Sequence, residues 1–178
     1  MATTSAGLLL YRRTGTADGG AGFEVLLAHM GGPFWARKDA GAWTIPKGEL
    51  EDGEPPHGAA LREAAEELGV ALPEPPVPDV ELGAVRQRSG KRVLAWAREA
   101  PPGVDLTDVR SNLVEIEWPP RSGRRLQVPE IDRAAWFAPD DARRVIVSAQ
   151  AELVDRLAAH LAARPVVDPA ADGRVPGP

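Results

Sequence analysis

Cysteine is absent from the 178 residues. That single absence excludes disulfide frameworks, thiolate zinc sites and cysteine nucleophiles together. Any metal must then be held by oxygen or histidine. The three histidines, His29, His57 and His160, are scattered without the spacing of a ligand set and are read as surface or packing residues. Oxygen ligands remain, and they select hard cations such as magnesium, manganese or calcium. Long apolar runs are also missing. The longest near the start is Gly7 to Leu10, far below the roughly 20 residues that cross a bilayer. The N-terminus carries no basic flank, extended apolar centre or small-residue cleavage site, so a cytoplasmic protein with no membrane partner is expected. An excess of positive charge is lacking too, since the formal net charge is −5. Capture of long nucleic acid normally needs a basic face, so the expected partner is a small anionic molecule rather than a polynucleotide.

What is present is an ordinary soluble composition, 43% hydrophobic and 26% charged, at a length suited to one domain with a sizeable core. Ala6 to Arg12 and Phe23 to His29 read as strands separated by the Gly-rich stretch Thr14 to Gly22. Met30 to Ala42 is irregular, and Trp43 to Ile45 reads as a short strand. Pro55 to Leu68 reads as a helix, with prolines where the missing amide costs nothing and Gly69 suited to a left-handed cap. After the proline-dense Pro73 to Pro78, Val80 to Arg88 and Lys91 to Ala97 form a hairpin turning at Ser89-Gly90. Leu113 to Trp118 and Arg125 to Val128 suggest another hairpin, followed by a short strand around Ala135 to Phe137. Leu153, Val154, Leu157 and Leu161 form the apolar stripe of a last helix, with Ser148 as its expected N-cap. Hairpins mixed with two separated helices point to an α+β layered domain over residues 1–164. Residues 165–178, rich in Pro, Gly, Ala and Asp, are expected to be a loose tail.

The first helix carries the unusual feature. Winding it at 3.6 residues per turn puts Leu61, Ala64, Ala65 and Leu68 on one side and Glu63, Glu66 and Glu67 on the other. Glu63 and Glu67 are an i, i+4 like-charge pair, costing about 0.2 to 0.5 kcal/mol in an isolated helix. Glu66 and Glu67 also sit in the last turn, where the helix dipole disfavours negative charge. An acidic helix face is ordinarily a solvated surface. Local cost at chosen positions is also what a functional site looks like, and a divalent cation would turn the repulsion into coordination.

The surrounding residues decide between these. Gly48, Glu54, Arg62-Glu63, Ala64, Glu66-Glu67 and Gly69-Val70 resemble the Nudix box, which reads Gly, five residues, Glu, seven residues, Arg-Glu, an aliphatic, any residue, Glu-Glu, any residue, Gly, and an aliphatic. Every fixed position is matched, with Ala64 smaller than the usual aliphatic. The resemblance covers Gly48 to Val70 closely, and extends loosely to Trp43 to Lys47 and to Trp136 to Leu161. It implies an α/β/α sandwich with a mixed sheet, the box helix and a C-terminal helix. It implies that Glu63, Glu66 and Glu67, joined by the Gly48 carbonyl, hold magnesium or manganese. Arg62 is then expected to orient the carboxylates, Glu54 to be a structural partner, and Glu63 to be one candidate for the base. Other members place that base on a later loop, where Glu115, Glu117 and Glu130 are candidates that spacing does not separate.

The implied reaction is metal-dependent attack of water on phosphorus in a nucleoside diphosphate linked to another group. Lys47, Arg86, Arg88, Lys91 and Arg92 are candidates to meet phosphates, although a solvated hairpin tip accounts equally well for the last four. Trp43, Trp35 and Phe34 are candidates to stack on a base, against the alternative that they are core. Trp43 followed by Pro46-Lys47-Gly48 looks like the box entry of nucleoside triphosphate and dinucleoside polyphosphate hydrolases. The alternatives are an ADP-ribose or nucleotide-sugar pyrophosphatase, a non-catalytic nucleotide-sensing module, and a simple cation-binding domain. The oligomeric state stays open, a homodimer being compatible.

Overall fold

The computed structural model describes residues 3–15, 21–103 and 105–163. The expected tail, and residues 16–20 of the first loop, lie outside the described residues. The elements run β1 (Thr4–Gly15), β2 (Ala21–Met30), β3 (Trp43–Thr44), β4 (Lys47–Glu49), α1 (Pro56–Leu68), β5 (Val80–Arg86), β6 (Arg92–Glu99), β7 (Leu113–Glu117), β8 (Arg125–Pro129), β9 (Ile131–Phe137), α2 (Pro139–Val145) and α3 (Ala151–Ala163).

Seven strands form one sheet in the order β3-β2-β1-β6-β5, with β4 added on β1 and β9 on β2. The β1–β6 pair is parallel and its neighbours are antiparallel, so the sheet is mixed as expected. β1 is central, and Ser5 to Tyr11 are all buried. Its side chains alternate between two cores. Leu8 and Leu10 pack with Ala64 and Leu68 of α1, whereas Leu9 and Tyr11 pack with Leu153 and Leu157 of α3. A strand covered on both faces needs no polar side, which explains the unbroken apolar run in β1. Helix on sheet on helix is the layering expected from the sequence.

Prolines mark the start of α1, with Pro55 as cap and Pro56 in the first turn. Gly69 ends it at φ 68° and ψ 24°, its amide donating to the Ala65 carbonyl. The β5–β6 hairpin turns through Gln87 to Lys91, with Gly90 at φ 86°. Among the described residues β7 and β8 pair with each other and not with the main sheet, as a two-stranded ribbon.

Several boundaries differ from expectation. β9 begins at Ile131 rather than Ala135, because the earlier residues pair with β2 despite their polar character. β4 was not foreseen, being three residues whose partner, Ser5 to Gly7, is remote in sequence. α2 was also unforeseen. Ser148 does not cap the last helix with its side chain; it opens a 3-10 turn, Ser148–Gln150, that runs into α3. Among the described residues no helix is long and apolar enough to cross a membrane.

Candidate functional site

β4 and α1 build the site together. Lys47 and Gly48 pair with Gly7 and Ala6 of β1, which holds the strand under α1. A Cβ built on Gly48 would collide with the carboxylate of Glu63, so that carboxylate rests directly on the Gly48 backbone. One turn further along α1, Glu67 accepts a hydrogen bond from the Lys47 backbone N–H at 3.0 Å. Glu67 is only 3% exposed. The acidic face is therefore not the solvated face the helical wheel suggests. Glu63 and Glu67 turn onto β4, a neighbour no wheel contains, and Glu66 alone stays open, its side chain 45% exposed.

Arg62 organises this group. Its Nε and Nη2 donate to the two carboxylate oxygens of Glu54 at 3.0 and 2.9 Å, and its Nη1 donates to Glu63 at 2.7 Å and, weakly, to Glu66 at 3.5 Å. The two-pronged pairing fixes the guanidinium plane. The Glu54 hydrogen bonds, with Glu63, push the Arg62 pKa up, and those from Arg62 hold Glu54 below its ordinary value.

Burial raises the pKa of Glu63 against the opposing pull of Arg62, with the charges of Glu66 and Glu130 adding to the rise. Burial raises Glu67 further, to about 8, with Lys47 opposing and Glu130 and Glu63 adding to the rise. Carboxylates that are desolvated and mutually repelled are short of positive charge. An all-oxygen set of this kind fits a hard divalent cation in its chemistry. In its arrangement the set is not yet gathered: among the described residues no three Asp, Glu, His or Cys side chains are grouped to hold a metal ion. Arg62 Nη1 stands between Glu63 at 2.7 Å and Glu66 at 3.5 Å.

Of these carboxylates Glu67 lines a cleft of about 400 Å³, together with Lys47 and Glu130. Val114, Ile116 and Val128 of the β7–β8 ribbon line it, as do Phe34 and Trp35 from the loop after β2. That loop is stitched to the ribbon. The Gly31 amide donates to the Glu130 carbonyl at 2.9 Å, and a Cβ at Gly31 would strike the Pro129 backbone. A second lobe of about 330 Å³ shares Met30, Trp35, Thr44 and Lys47 with the first and continues to the β5–β6 turn.

The candidate residues from the sequence separate on this geometry. Glu130 lines the cleft and its charge is felt by both Glu63 and Glu67. Glu115 instead pairs with Arg125 at 3.0 Å, and Glu117 accepts the Gly123 amide, both on the outer face of the ribbon. Lys47, Arg88 and Lys91 line the cleft's second lobe; Arg86 is exposed and lines neither lobe. Arg92 lies beyond the turn as the first residue of β6.

Trp43 requires correction as a stacking residue. It is 4% exposed, edge-on to His29 at 5.1 Å and to Phe137 at 4.8 Å, and belongs to the core. Phe34 and Trp35 are the aromatics that reach the cleft. The ribbon's apolar wall and Gln87, Ser89 and Thr44 were missed. Alternation in Val114, Ile116 and Val128 was the available signal, and it reads as any half-buried hairpin.

A family model described as the NUDIX domain matches residues 1–157. Over 73 residues the chain is 32% identical to an RNA pyrophosphohydrolase of Vibrio cholerae, a match covering 40% of this chain and 42% of that protein. The chain thus matches less than half the length of that curated relative. In fold it resembles a Caenorhabditis elegans Ap4A hydrolase binary complex, with TM-score 0.62, 22% identity, and coverage of 89% of this chain and 98% of the other. It also resembles the NUDIX domain of Shewanella oneidensis NrtR complexed with ADP ribose, with TM-score 0.57, 14% identity, and coverage of 90% and 89%. With the box residues folded around Gly48 and a model match that takes in nearly all of the described sheet and helices, the chain belongs to the NUDIX domain family.

Proposed function

We propose that this chain is a pyrophosphohydrolase that cleaves a phosphoanhydride bond in a nucleoside diphosphate linked to another group, with nucleoside triphosphates and dinucleoside polyphosphates favoured. The observation that carries the reading is the convergence of Glu67, Glu130 and Lys47 on one cleft, with Glu63 and Glu66 beside them. Glu63, Glu66 and Glu67, with the Gly48 carbonyl, are the ligands assigned to magnesium or manganese. A bound ion supplies neutralisation of the phosphate oxygens and acidification of water.

The chain's own residues supply the rest. Arg62 holds the Glu63 carboxylate in place through the 2.7 Å hydrogen bond. Lys47 offers its ammonium to the phosphates from the point where the two lobes meet. Glu130 accepts the proton of the attacking water, a role it fits better than Glu63 because Glu63 is committed to Arg62. Phe34 and Trp35 offer aromatic faces to a base. The products are a nucleoside monophosphate and a phosphorylated remainder.

The test is a panel of nucleoside triphosphates, diadenosine polyphosphates, nucleotide sugars, ADP-ribose and a short RNA with a 5′-terminal triphosphate, each with magnesium or manganese and with products separated by chromatography. The RNA belongs in the panel because of the name carried by the Vibrio relative, although the net charge of −5 disfavours a long polynucleotide. A second reading, a module that binds nucleotides without hydrolysing them, is favoured by one observation: the carboxylates are not gathered while Arg62 spans Glu63 and Glu66. Binding without product from any member of the panel decides for it.

A further inference from the structure

The two lobes of the cleft differ in charge. The lobe against the ribbon is lined by two carboxylates, Glu67 and Glu130, and one cation, Lys47. The lobe against the β5–β6 turn is lined by three cations, Lys47, Arg88 and Lys91, and by no carboxylate. In a chain of net charge −5 this is a local reversal of sign. Gln87 and Ser89 add uncharged donors to the same wall. Arg88 is exposed on this wall, and its planar guanidinium carries five N–H donors. Lys91 pairs with Glu49 at 3.1 Å, but the Glu49 side chain is 61% exposed and outside the lining, so the contact competes with water.

We infer that the lobe at the β5–β6 turn is an anion subsite, and that Arg88 and Lys91 select substrates whose group beyond the nucleoside diphosphate carries further phosphates over those in which it is a neutral sugar. The inference rests on the reading of the cleft as a nucleotide site. Its physical basis is that a recess walled by one sign of charge focuses potential onto a ligand of the other. Guanidinium, planar and weakly hydrated, is suited to phosphate oxygens where a ribose offers only neutral hydroxyls. The ribbon lobe, apolar with Phe34 and Trp35 beside it, is left for the base. Lys47, shared by both, then sits between base and distal phosphates, next to the carboxylates.

Adenosine 5′-tetraphosphate and ADP-ribose share ADP and differ in the group attached to it, so the ratio of their affinities reads the subsite directly. The ratio is to be measured by calorimetry on the full chain in EDTA, for the wild type, for the double variant Arg88→Gln/Lys91→Gln and for Arg86→Gln. Arg86 has the same charge on the same hairpin but lines neither lobe. The double variant should lower the tetraphosphate-to-ADP-ribose ratio at least about tenfold, the size of one or two lost charged hydrogen bonds, and Arg86→Gln should leave it within about twofold. An unchanged ratio in the double variant, or an equal fall in Arg86→Gln, overturns the subsite. Turnover with magnesium, measured in parallel, separates the two ideas: a collapsed ratio in a protein that hydrolyses nothing keeps the subsite and removes the hydrolase reading.

Discussion

The carboxylate of Glu63 lies against the backbone of Gly48, and a Cβ on residue 48 would fall on its carbon and both its oxygens. The box glycine is thus required by contact with a side chain fifteen positions later, and not by backbone conformation.

Replacing it tests this. Gly48→Ala should displace Glu63, lowering kcat roughly 100-fold, as small misplacements at reacting centres do, with little loss of stability, because the atoms met are the far end of a flexible side chain. Gly58→Ala is the control, since a Cβ there meets nothing within 4 Å and the position lies in α1. It should leave activity unchanged and raise stability by up to about 1 kcal/mol. Normal turnover in Gly48→Ala would show that Glu63 does not need its present place.

Glu67 should make the metal-free protein sensitive to pH. Burial raises its pKa from 4.5 to about 8, so the folded state prefers the protonated carboxyl. A group raised on folding contributes stability that is complete below its unfolded value and is lost as pH rises through the folded one. In EDTA, unfolding free energy should therefore fall between about pH 4.5 and about pH 8, by on the order of a few kcal/mol. Glu67→Gln should flatten that fall and abolish most hydrolysis. Denaturant titrations across this range measure the first effect, and parallel slopes for wild type and variant would refute it.

Glu130 is separated from its rivals by where it points. Glu130→Gln should lower kcat by about 10² to 10⁴, the usual contribution of a general base. Glu115→Gln and Glu117→Gln, on the ribbon's outer face, should stay within about twofold. Glu66→Gln should lose most activity with an unchanged fold. Should Glu130→Gln keep wild-type kcat with an unaltered pH profile, the base must be sought at Glu63.

Outside the lining of either lobe, Asp79 and Arg98 form a buried pair, their side chains 2% and 4% exposed and joined by hydrogen bonds of 2.7 and 2.8 Å. Burial pushes the Asp79 pKa up, but hydrogen bonds from Arg98 and His57 outweigh it and the net shift is downward from 3.8. A depressed carboxylate contributes stability above its unfolded pKa and loses it as pH falls through the folded one. Asp79→Asn should cost about 3 to 5 kcal/mol at pH 7, because it strands a buried guanidinium. The difference from wild type should shrink as pH falls below about 3.8, which acid and neutral denaturation curves compare directly.

By itself the sequence determined what depends on near neighbours in the chain. The extent of α1 follows from its prolines and Gly69, the hairpins from alternation and turn residues, and the family from the box, because each is encoded within a few turns of chain. α2 was legible in principle, with Pro139 and two aspartates at its start and two arginines at its end, but seven residues without an apolar stripe give little signal. The tertiary structure alone decided everything that required remote segments to meet. It turned Glu67 inward by laying β4 beside α1 and buried Trp43 edge-on to His29 of β2 and Phe137 of β9. It brought Glu130, and not Glu115 or Glu117, to the carboxylates, and it set Arg88 and Lys91 in a lobe that Arg86 does not reach. A helical wheel records angles about one axis; burial, charge repulsion and access to a cleft are set by what packs against that axis, and those partners lie tens of residues away.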